Sequence, residues 1–376
     1  MTATTEQRLT EEEINAKLAE FVGRTDLGSA IHAREPISTT TIRQLTDALG
    51  DRNPVYTDPE FAAKSIHGEI VVPPTALQVF SLPGLPPKPG RHLVGPDGVQ
   101  RFVLAPGGQH IPGDSPDRVM LDELHDLLEA AGYTSPAVTN GWYEYKRYLR
   151  PGDHLSFSAP SVDEFFGPKQ TALGKGYFIT MSQDVTDQHG ELVAIMKHRF
   201  IRFKPAFEEG ATEMPSSPPW KAPTEELGDY TIAPGPRLTT LRHSEVHVGD
   251  ELPKLVIELT PTLIVATAIA TQDYQNVHHD RDAVQRLGHP DVFMNILTST
   301  GFVGRFITDW AGPEAVIEAA TVKLGVPNYP YGDYTLSGKV IEHDAAGDRG
   351  RIVVDVKGTN TIGTHFSGQV TLTLPL

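Results

Sequence analysis

One eight-residue pattern occurs twice in the sequence, and this repeat constrains the fold more than any other feature. Residues 51–58 read DRNPVYTD and residues 273–280 read DYQNVHHD, so both copies fit D-x-x-x-V-[Y/H]-x-D at positions 222 apart (273 − 51). A residue that commonly caps helices precedes each copy. In the second copy the apolar run 255–259 leads into Thr260, and in the first Ile37 leads into Ser38. Self-similarity of this kind predicts two copies of one structural unit.

Segments rich in proline and glycine mark the boundaries of the two predicted units. Residues 205–236 include EMPSSPPWKAP and APGP, and we interpret them as a linker between a domain at 1–204 and a domain at 237–376. A second such segment, 82–117, predicts a long irregular insertion in the first domain. The remaining elements expected from the pattern are a helix at 119–131 and strands that include 197–203 and 368–374.

The apolar residues of 293–310 recur at three- and four-residue steps, which predicts an amphipathic helix. One helix wrapped by a curled antiparallel sheet is the hotdog arrangement. The expected fold class is therefore α+β, a double hotdog of two curled antiparallel sheets, each around a central helix. In the first domain Pro73, Pro74 and Pro83 interrupt the corresponding segment, so its helix should be truncated. We expect the missing helical turns to leave an enlarged apolar cavity there.

The composition excludes several classes of function. The chain has no cysteine, so disulfides, thiol nucleophiles and thiolate metal sites are ruled out. Its net charge of −16 would repel a phosphate backbone, so no nucleic-acid partner is expected. The most apolar window, 255–270, is too short to span a bilayer, and residues 1–21 lack the apolar region of a secretion signal. We expect a cytoplasmic protein without a membrane partner.

Asp273 and His278 are the candidate catalytic residues. A carboxylate and an imidazole beside one water molecule are able to add that water across a polarised double bond, because one group takes a proton and the other orients the water or supplies a proton. A thioester carbonyl would also need a donor for its developing negative charge, and backbone N–H groups near Met294 and Asn295 are the natural candidates. This chemistry requires no metal and no cofactor. The competing interpretation is a surface turn with a capping aspartate and a solvated histidine.

The second domain resembles the MaoC-like hydratases, whose signature reads approximately D-x-N-P-[IV]-H-x-D, followed by Ala, Gly and a long central helix. Asp273, Val277, His278 and Asp280 match this signature. Gln275-Asn276 stands where Asn-Pro is usual, and Met294-Asn295 stands where His-Gly is common. The resemblance implies an Asp–His pair that hydrates an enoyl-CoA. It leaves Gln275, Met294 and Asn295 as candidates for substrate contacts or the oxyanion hole.

The first domain resembles the FAS1-like dehydratase or MaoC N-terminal domain. Residues 51–55 (DRNPV), 148–153 (YLRPGD) and 174–176 (GKG) keep that form. Tyr56 occupies the position of the catalytic histidine, and a phenol with a pKa near ~10 is a poor proton carrier at neutral pH. The resemblance implies a catalytically degenerate half that serves as a scaffold and acyl pocket. A second working site that uses Asp51 and Tyr56 is the alternative.

A finer resemblance concerns the steroid side-chain enoyl-CoA hydratases. Residues 277–283, 291–298 and 308–313 are similar to their small catalytic subunit, whereas 127–140 and 147–152 resemble its MaoC-like partner, which has no catalytic pair. The two subunits of that family form a heterotetramer. The resemblance implies that this chain fuses both subunits and hydrates a bulky, steroid-derived 2-enoyl-CoA. A homodimer is expected by analogy.

Three other functions remain open at this point. The chain could be a hydratase or dehydratase for a different acyl-CoA. A hotdog thioesterase would need a carboxylate opposite the thioester carbon and no histidine at position 278. A non-catalytic acyl-CoA-binding subunit would show decay of both motifs, and only the Asp51/Tyr56 copy shows it. Four basic residues are candidates for the CoA phosphates: Arg281, Arg286, Arg305 and Lys323.

Overall fold

The computed structural model describes residues 9–82, 84, 92–102, 122–171, 174–205, 235, 237–286 and 288–376. The helices of the first domain are α1 (Glu11–Ala19), α2 (Thr39–Leu49), α3 (Pro54–Thr57), α4 (Pro59–Lys64), a 3₁₀ helix (Pro74–Ser81) and α5 (Asp122–Ala130). Its strands are β1 (Ile31–His32), β2 (His92–Val94), β3 (Gln100–Phe102), β4 (Ser135–Tyr145), β5 (Ser156–Phe157), β6 (Ser161–Thr171), β7 (Gly174–Thr186) and β8 (Leu192–Pro205).

The second domain repeats this plan with a longer central helix. Its helices are a 3₁₀ helix (His243–Glu245), α6 (Pro261–Ala270), a second 3₁₀ helix (Asn276–His278), α7 (Arg281–Arg286) and α8 (Ile296–Ala311). Its strands are β9 (Glu251–Leu259), β10 (Val316–Leu324), β11 (Gly332–Ala346), β12 (Arg349–Asn360) and β13 (Gly363–Pro375).

The two half-sheets join edge to edge into one antiparallel sheet. The strand order is β1-β5-β7-β8-β4-β10-β13-β12-β11-β9, with β6 added beside β7. The junction is the antiparallel pair β4–β10, which runs from Ala319 opposite Glu144 to Lys323 opposite Asn140. This pairing satisfies the backbone groups of two strands that would otherwise be sheet edges. The expected α+β double hotdog is confirmed, and its two sheets are continuous.

Helix α8 is the central element of the second domain. The sequence predicted a helix at 293–310, whereas α8 begins at Ile296 because Asn295 is its N-cap: the side chain of Asn295 accepts from the N–H of Thr298 at 2.8 Å. Most of its residues are buried, and they share one apolar core with residues of the first domain. The helix is thus a structural part of both halves.

In the first domain the eight-residue 3₁₀ helix Pro74–Ser81 takes the place of a central helix, as the prolines predicted. Glycine at position 304 lets α8 approach this segment, since a Cβ built there would lie 2.2 Å from Oγ1 of Thr75. The other end of the sheet's inner face is covered by α1 and α5. Their side chains form a second apolar cluster with strand residues that include Ile179 and Phe200.

Several predicted segments lie partly outside the described residues. The proposed insertion at 82–117 contains a short hairpin of β2 and β3, and the rest of it is largely outside the description. Of the linker at 205–236, only 205, at the end of β8, and 235 are described. The helix expected at 119–131 is observed as α5 from Asp122, and residues 119–121 lie outside the described part. No helix among the described residues has the length and apolarity needed to cross a bilayer.

Candidate active site

Helix α6 delivers the repeated motif of the second domain. Thr260 caps it by accepting from the N–H of Leu263 at 3.0 Å, and proline follows at the first helical position. The helix ends at Ala270, and Gln272 adopts a left-handed conformation with φ of 58°. The N–H of Asp273 then donates to the carbonyl oxygen of Ala268 at 2.9 Å. This turn directs the Asp273 carboxylate back toward the start of α8.

The side chains of Asp273 and His278 converge. Oδ2 of Asp273 lies 3.3 Å from Nε2 of His278, and both residues are buried, with 7% and 6% of their surface exposed. His278 belongs to the short 3₁₀ helix that follows the turn, so five residues of chain bring the two groups together. The alternative of a surface turn with a solvated histidine does not describe this geometry.

The backbone fixes the tautomer of His278. Its Nδ1 lies 2.7 Å from the carbonyl oxygen of Phe293, which only accepts hydrogen bonds, so Nδ1 carries a proton. Nε2 is consequently the atom that exchanges a proton at the site. Because Oδ2 of Asp273 is also an acceptor, either a proton lies between these two atoms or a water molecule donates to both. In both states the pair is arranged for proton transfer.

Asn295 completes the polar environment of the carboxylate. Its side-chain nitrogen donates to Oδ2 of Asp273 at 3.1 Å and to Oγ1 of Thr271 at 2.9 Å. The backbone N–H of Gln275 points at the other carboxylate oxygen at 3.4 Å. Burial alone would raise the pKa of Asp273. The hydrogen bond and charge of His278, with the donors from Gln275 and Asn295, outweigh burial and lower the pKa below its ordinary value.

The candidate oxyanion residues differ in what they offer. The backbone N–H of Met294 donates to the carbonyl oxygen of Asn328 at 3.0 Å, so it is occupied. For the N–H of Asn295 there is no acceptor among the described residues. It lies at the N-terminal end of α8, where unpaired donors and the helix dipole favour negative charge. Gln275 is exposed, and its contribution is the backbone N–H that faces Asp273.

A hydrogen-bonded pair that sequence reasoning missed supports the first turn of α8. Oγ of Ser299 lies 2.8 Å from Nε2 of His365, and Nδ1 of His365 lies 2.7 Å from the carbonyl oxygen of Val326. Burial lowers the pKa of His365 to about 4, so this imidazole is neutral near pH 7 and accepts from Ser299. The two residues are 66 positions apart, and only the pairing of strand and helix brings them together.

The basic residues considered for CoA phosphates have different environments. Arg281 pairs with the carboxylate of Asp291. Arg305 donates to the carbonyl oxygen of Leu49 at 2.6 Å and pairs with Asp309 at 3.2 Å. Arg286 and Lys323 are exposed. Among the described residues, no group of three His, Cys, Asp or Glu side chains lies together in a way that would hold a metal ion.

The first domain reproduces the turn but not the proton-transfer pair. Oδ1 of Asp51 accepts from the N–H of Asn53 at 3.0 Å, just as Asp273 faces the N–H of Gln275. Tyr56 is buried, and Tyr148 and Asp51 lie near its phenol. Burial raises the pKa of Tyr56 well above its ordinary value, which makes the phenol still less able to exchange a proton.

A cavity of about 130 Å³ lies between the domains beside the catalytic turn. Gln272, which directly precedes Asp273, lines it from the second domain. The end of the 3₁₀ helix Pro74–Ser81 and the segment 33–37 line it from the first domain. The first domain therefore contributes surface next to the site.

Comparison with known proteins agrees with the fold. A family described as the FAS1-like, dehydratase domain region matches residues 27–101. The 3-oxo-4,17-pregnadiene-20-carboxyl-CoA hydratase beta subunit of Mycobacterium tuberculosis is 49% identical over 127 residues, which are 34% of this chain and 95% of that protein. The alpha subunit of the same hydratase is 38% identical over 175 residues, which are 46% of this chain and 47% of that protein.

A solved structure described as a MaoC-like dehydratase superposes with a TM-score of 0.64 over 96% of this chain and 100% of its own, at 18% identity. This similarity establishes the shared fold. The fold places the chain in the double-hotdog class, with the Asp–His pair as its candidate site. Because the chain covers 95% of the beta subunit at 49% identity, it belongs to the family of that hydratase subunit. The chain spans about half the length of the alpha subunit that it matches.

Proposed function

We propose that this protein is an enoyl-CoA hydratase that adds water to a bulky 2-enoyl-CoA, with Asp273 and His278 as its catalytic residues. The observation that carries the proposal is the 3.3 Å approach of Oδ2 of Asp273 to Nε2 of His278, with Nδ1 of the histidine held by a backbone carbonyl. Two proton-exchanging atoms then face one small volume, which is what activation of a single water molecule requires.

In the proposed reaction, the water oxygen forms a bond to the β-carbon while one water O–H bond breaks. The Asp273 carboxylate takes that proton, and Nε2 of His278 delivers a proton to the α-carbon. The product is a 3-hydroxyacyl-CoA, and transfer of the proton from Asp273 to His278 restores the pair. The backbone N–H of Asn295 would stabilise the enolate oxygen of the thioester in between.

The first domain serves as scaffold and acyl pocket in this proposal. Its degenerate Asp51/Tyr56 motif supports a single active site for each chain, with domains at 1–204 and 237–376. A full central helix would occupy space that a bulky acyl group needs, and the first domain has the short 3₁₀ helix Pro74–Ser81 in its place. The names of both mycobacterial relatives specify a steroid-derived acyl-CoA, and we propose a substrate of this steroid side-chain type here.

Two alternatives are less consistent with the site. A thioesterase needs a water that attacks the thioester carbon, and a histidine at position 278 is not part of that expectation. A non-catalytic acyl-CoA-binding subunit has no need for a buried, hydrogen-bonded Asp–His pair. A hydratase for another acyl-CoA differs only in the acyl group, so a panel of substrates distinguishes it.

The test follows the conjugated enoyl-thioester absorbance with crotonyl-CoA and with a steroid-type enoyl-CoA. We expect Asp273→Asn and His278→Ala to lose roughly 100- to 10,000-fold in rate. Tyr56→Phe is the matched control in the degenerate motif and should keep the wild-type rate. A loss at Tyr56 equal to that at His278 would contradict the single active site. Because the chain has no cysteine, a thiol reagent would detect only released CoA, which would indicate a thioesterase.

A homodimer, expected from the family resemblance, and a cytoplasmic location, expected from the sequence, stay predictions. Light scattering on the purified chain tests the first. A mass of twice 41.0 kDa is the expected result, and a monomer would contradict it.

A further inference from the structure

Three polar side chains meet inside the first domain, away from the catalytic pair: Gln78, Tyr143 and His198. The hydroxyl of Tyr143 lies 3.1 Å from Oε1 of Gln78 and 2.9 Å from Nε2 of His198. Tyr143 on β4 and His198 on β8 project from the inner face of the sheet, and Gln78 faces them from the 3₁₀ helix Pro74–Ser81. Tyr143 is 3% exposed, whereas Gln78 and His198 are half-buried.

The hydrogen-bonding groups of this cluster do not satisfy one another. In one arrangement Tyr143 donates to Oε1 of Gln78, and Nε2 of His198 donates to Tyr143. The amide nitrogen of Gln78 is then a donor without an acceptor, and Nδ1 of His198 is an acceptor without a donor. In the other arrangement Tyr143 donates to Nε2 of His198, and the amide of Gln78 is turned over so that its nitrogen donates to Tyr143. The amide oxygen of Gln78 is then an acceptor without a donor, and the Nδ1–H of His198 is a donor without an acceptor. Either arrangement leaves one donor and one acceptor with no partner among the described residues.

The cluster lies at the border between the two apolar clusters of the first domain. Tyr143 and Met196 belong to the core shared with α8, whereas Phe200 belongs to the cluster under α1 and α5. His198 stands between Met196 and Phe200 on the same face of β8. Apolar side chains at these positions would have joined the two clusters without the cost of burying polar groups. The cluster is therefore a polar position between two apolar ones.

The cluster is also close to the catalytic turn. Val79, Phe80 and Leu82 line the cavity that Gln272 borders on the other side. A 3₁₀ helix rises about 2 Å per residue, so Gln78 lies roughly 8 Å along the segment from Leu82. Val79 follows Gln78 directly and lines this cavity, so an acyl group that crosses it from the side of Gln272 approaches the segment that carries Gln78.

The cluster is suited to an uncharged group. Burial lowers the pKa of His198 to about 4, so its imidazole is neutral near pH 7. Tyr143 is neutral as well, because burial raises its pKa above the ordinary value. A neutral donor and a neutral acceptor match a keto or hydroxyl oxygen and give no charge for a carboxylate or phosphate.

We propose that Gln78, Tyr143 and His198 form a specificity site that binds a keto or hydroxyl oxygen at the far end of the acyl group. This inference rests on the proposed hydratase function and names the polar feature of the acyl group that the enzyme selects. A site built to hydrogen-bond such an oxygen discriminates against an analogue that lacks it, because the analogue forms no hydrogen bond with these side chains.

The experiment compares two polycyclic enoyl-CoA substrates that differ only in a ring ketone replaced by CH₂, with crotonyl-CoA as a third substrate. The variants are Gln78→Met and Tyr143→Phe, which keep the size of each side chain. Tyr177→Phe is the control, since it removes a buried hydroxyl from the same half, under α1 and α5, that has no hydrogen-bond partner among the described residues. We expect kcat/KM for the keto substrate to fall roughly tenfold in both variants and to change little for the other two substrates.

A second measurement separates this inference from the proposed function. Binding of saturated acyl-CoA analogues, with and without the ketone, is measured on Asp273→Asn, which is expected not to turn over substrate. A preference for the keto analogue that Tyr143→Phe removes supports the site, whatever the hydration assay gives. Equal affinity for both analogues, or equal losses on all three substrates, would overturn it while the hydratase assay stands. No hydration of any enoyl-CoA by the wild type would instead contradict the proposed function.

Discussion

The side-chain amide of Asn295 connects the carboxylate of Asp273 to the first turn of α8. Its nitrogen donates to Oδ2 of Asp273 at 3.1 Å while its oxygen accepts from the N–H of Thr298 at 2.8 Å. Because an amide is planar, the position of the helix end and the position of the carboxylate are fixed together. One side chain thus supports the helix, orients the catalytic carboxylate and brings its own backbone N–H to the site.

Substitution of Asn295 by serine and by alanine separates these roles. Serine keeps an oxygen that caps the helix but loses the donor to Asp273, so we expect little loss in stability and roughly a tenfold loss in kcat. Alanine loses both, and it should additionally lower the free energy of unfolding by about 1 kcal/mol. Urea melts and hydration rates on the two variants test this. Equal stability of the serine and alanine variants would contradict the capping role.

The pH dependence of stability should have opposite signs at the two repeated aspartates. Burial raises the pKa of Asp51 to about 6. The hydrogen bond from the N–H of Asn53 and the charge of Arg305 act against this rise, and the charge of Asp309 adds to it. A raised folded-state pKa means that stability is fully present below the unfolded-state value and is lost as pH rises through about 6. Asp51→Asn removes this loss. As the pH rises from 4 to 8, the free energy of unfolding of the variant should therefore rise by up to ~3 kcal/mol relative to that of the wild type.

Asp273→Asn is the matched comparison. The pKa of Asp273 is lowered, so its carboxylate contributes stability above the unfolded-state pKa and loses it as pH falls through the folded-state value. Relative to wild type, this variant should be less stable at neutral pH, and the difference should shrink in acid. Chemical denaturation of all three proteins at a series of pH values gives both curves. Parallel curves for the two variants would refute the assignment.

The close approach of the domains at Gly304 is open to a double-mutant test. A Cβ at this position would meet Oγ1 of Thr75 at 2.2 Å and Cγ2 at 2.9 Å, so Gly304→Ala should cost about 1–3 kcal/mol. Thr75→Ala removes both atoms, and it removes a buried hydroxyl that has no partner among the described residues. The double variant should therefore recover part of the loss. Strict additivity of the two thermal-melt changes would show that this contact is not the cause.

The sequence alone predicted the features that depend on local pattern. Asp273 and His278 are only five residues apart, so their proximity follows from the local sequence. Capping residues and apolar periodicity indicated α6 and α8. The observed start of α8 is Ile296, because Asn295 takes the cap position. Contacts between distant residues could not be predicted in this way. His365 reaches Ser299 only after strand and helix have packed, and the N–H of Met294 is occupied by a loop that follows β10. The pairing of β4 with β10 could not be predicted either, since no pattern in either strand indicates which strand lies beside it.

The β4–β10 junction has a consequence for how the protein behaves at low concentration. In an assembly of separate chains, a sheet that crosses from one half to the other comes apart as the partners are diluted. Here β4 and β10 belong to one polypeptide, so the effective concentration of each strand for the other does not depend on the protein concentration in solution. The ratio of the first domain to the second is fixed at synthesis, and the two domains do not need to associate from solution.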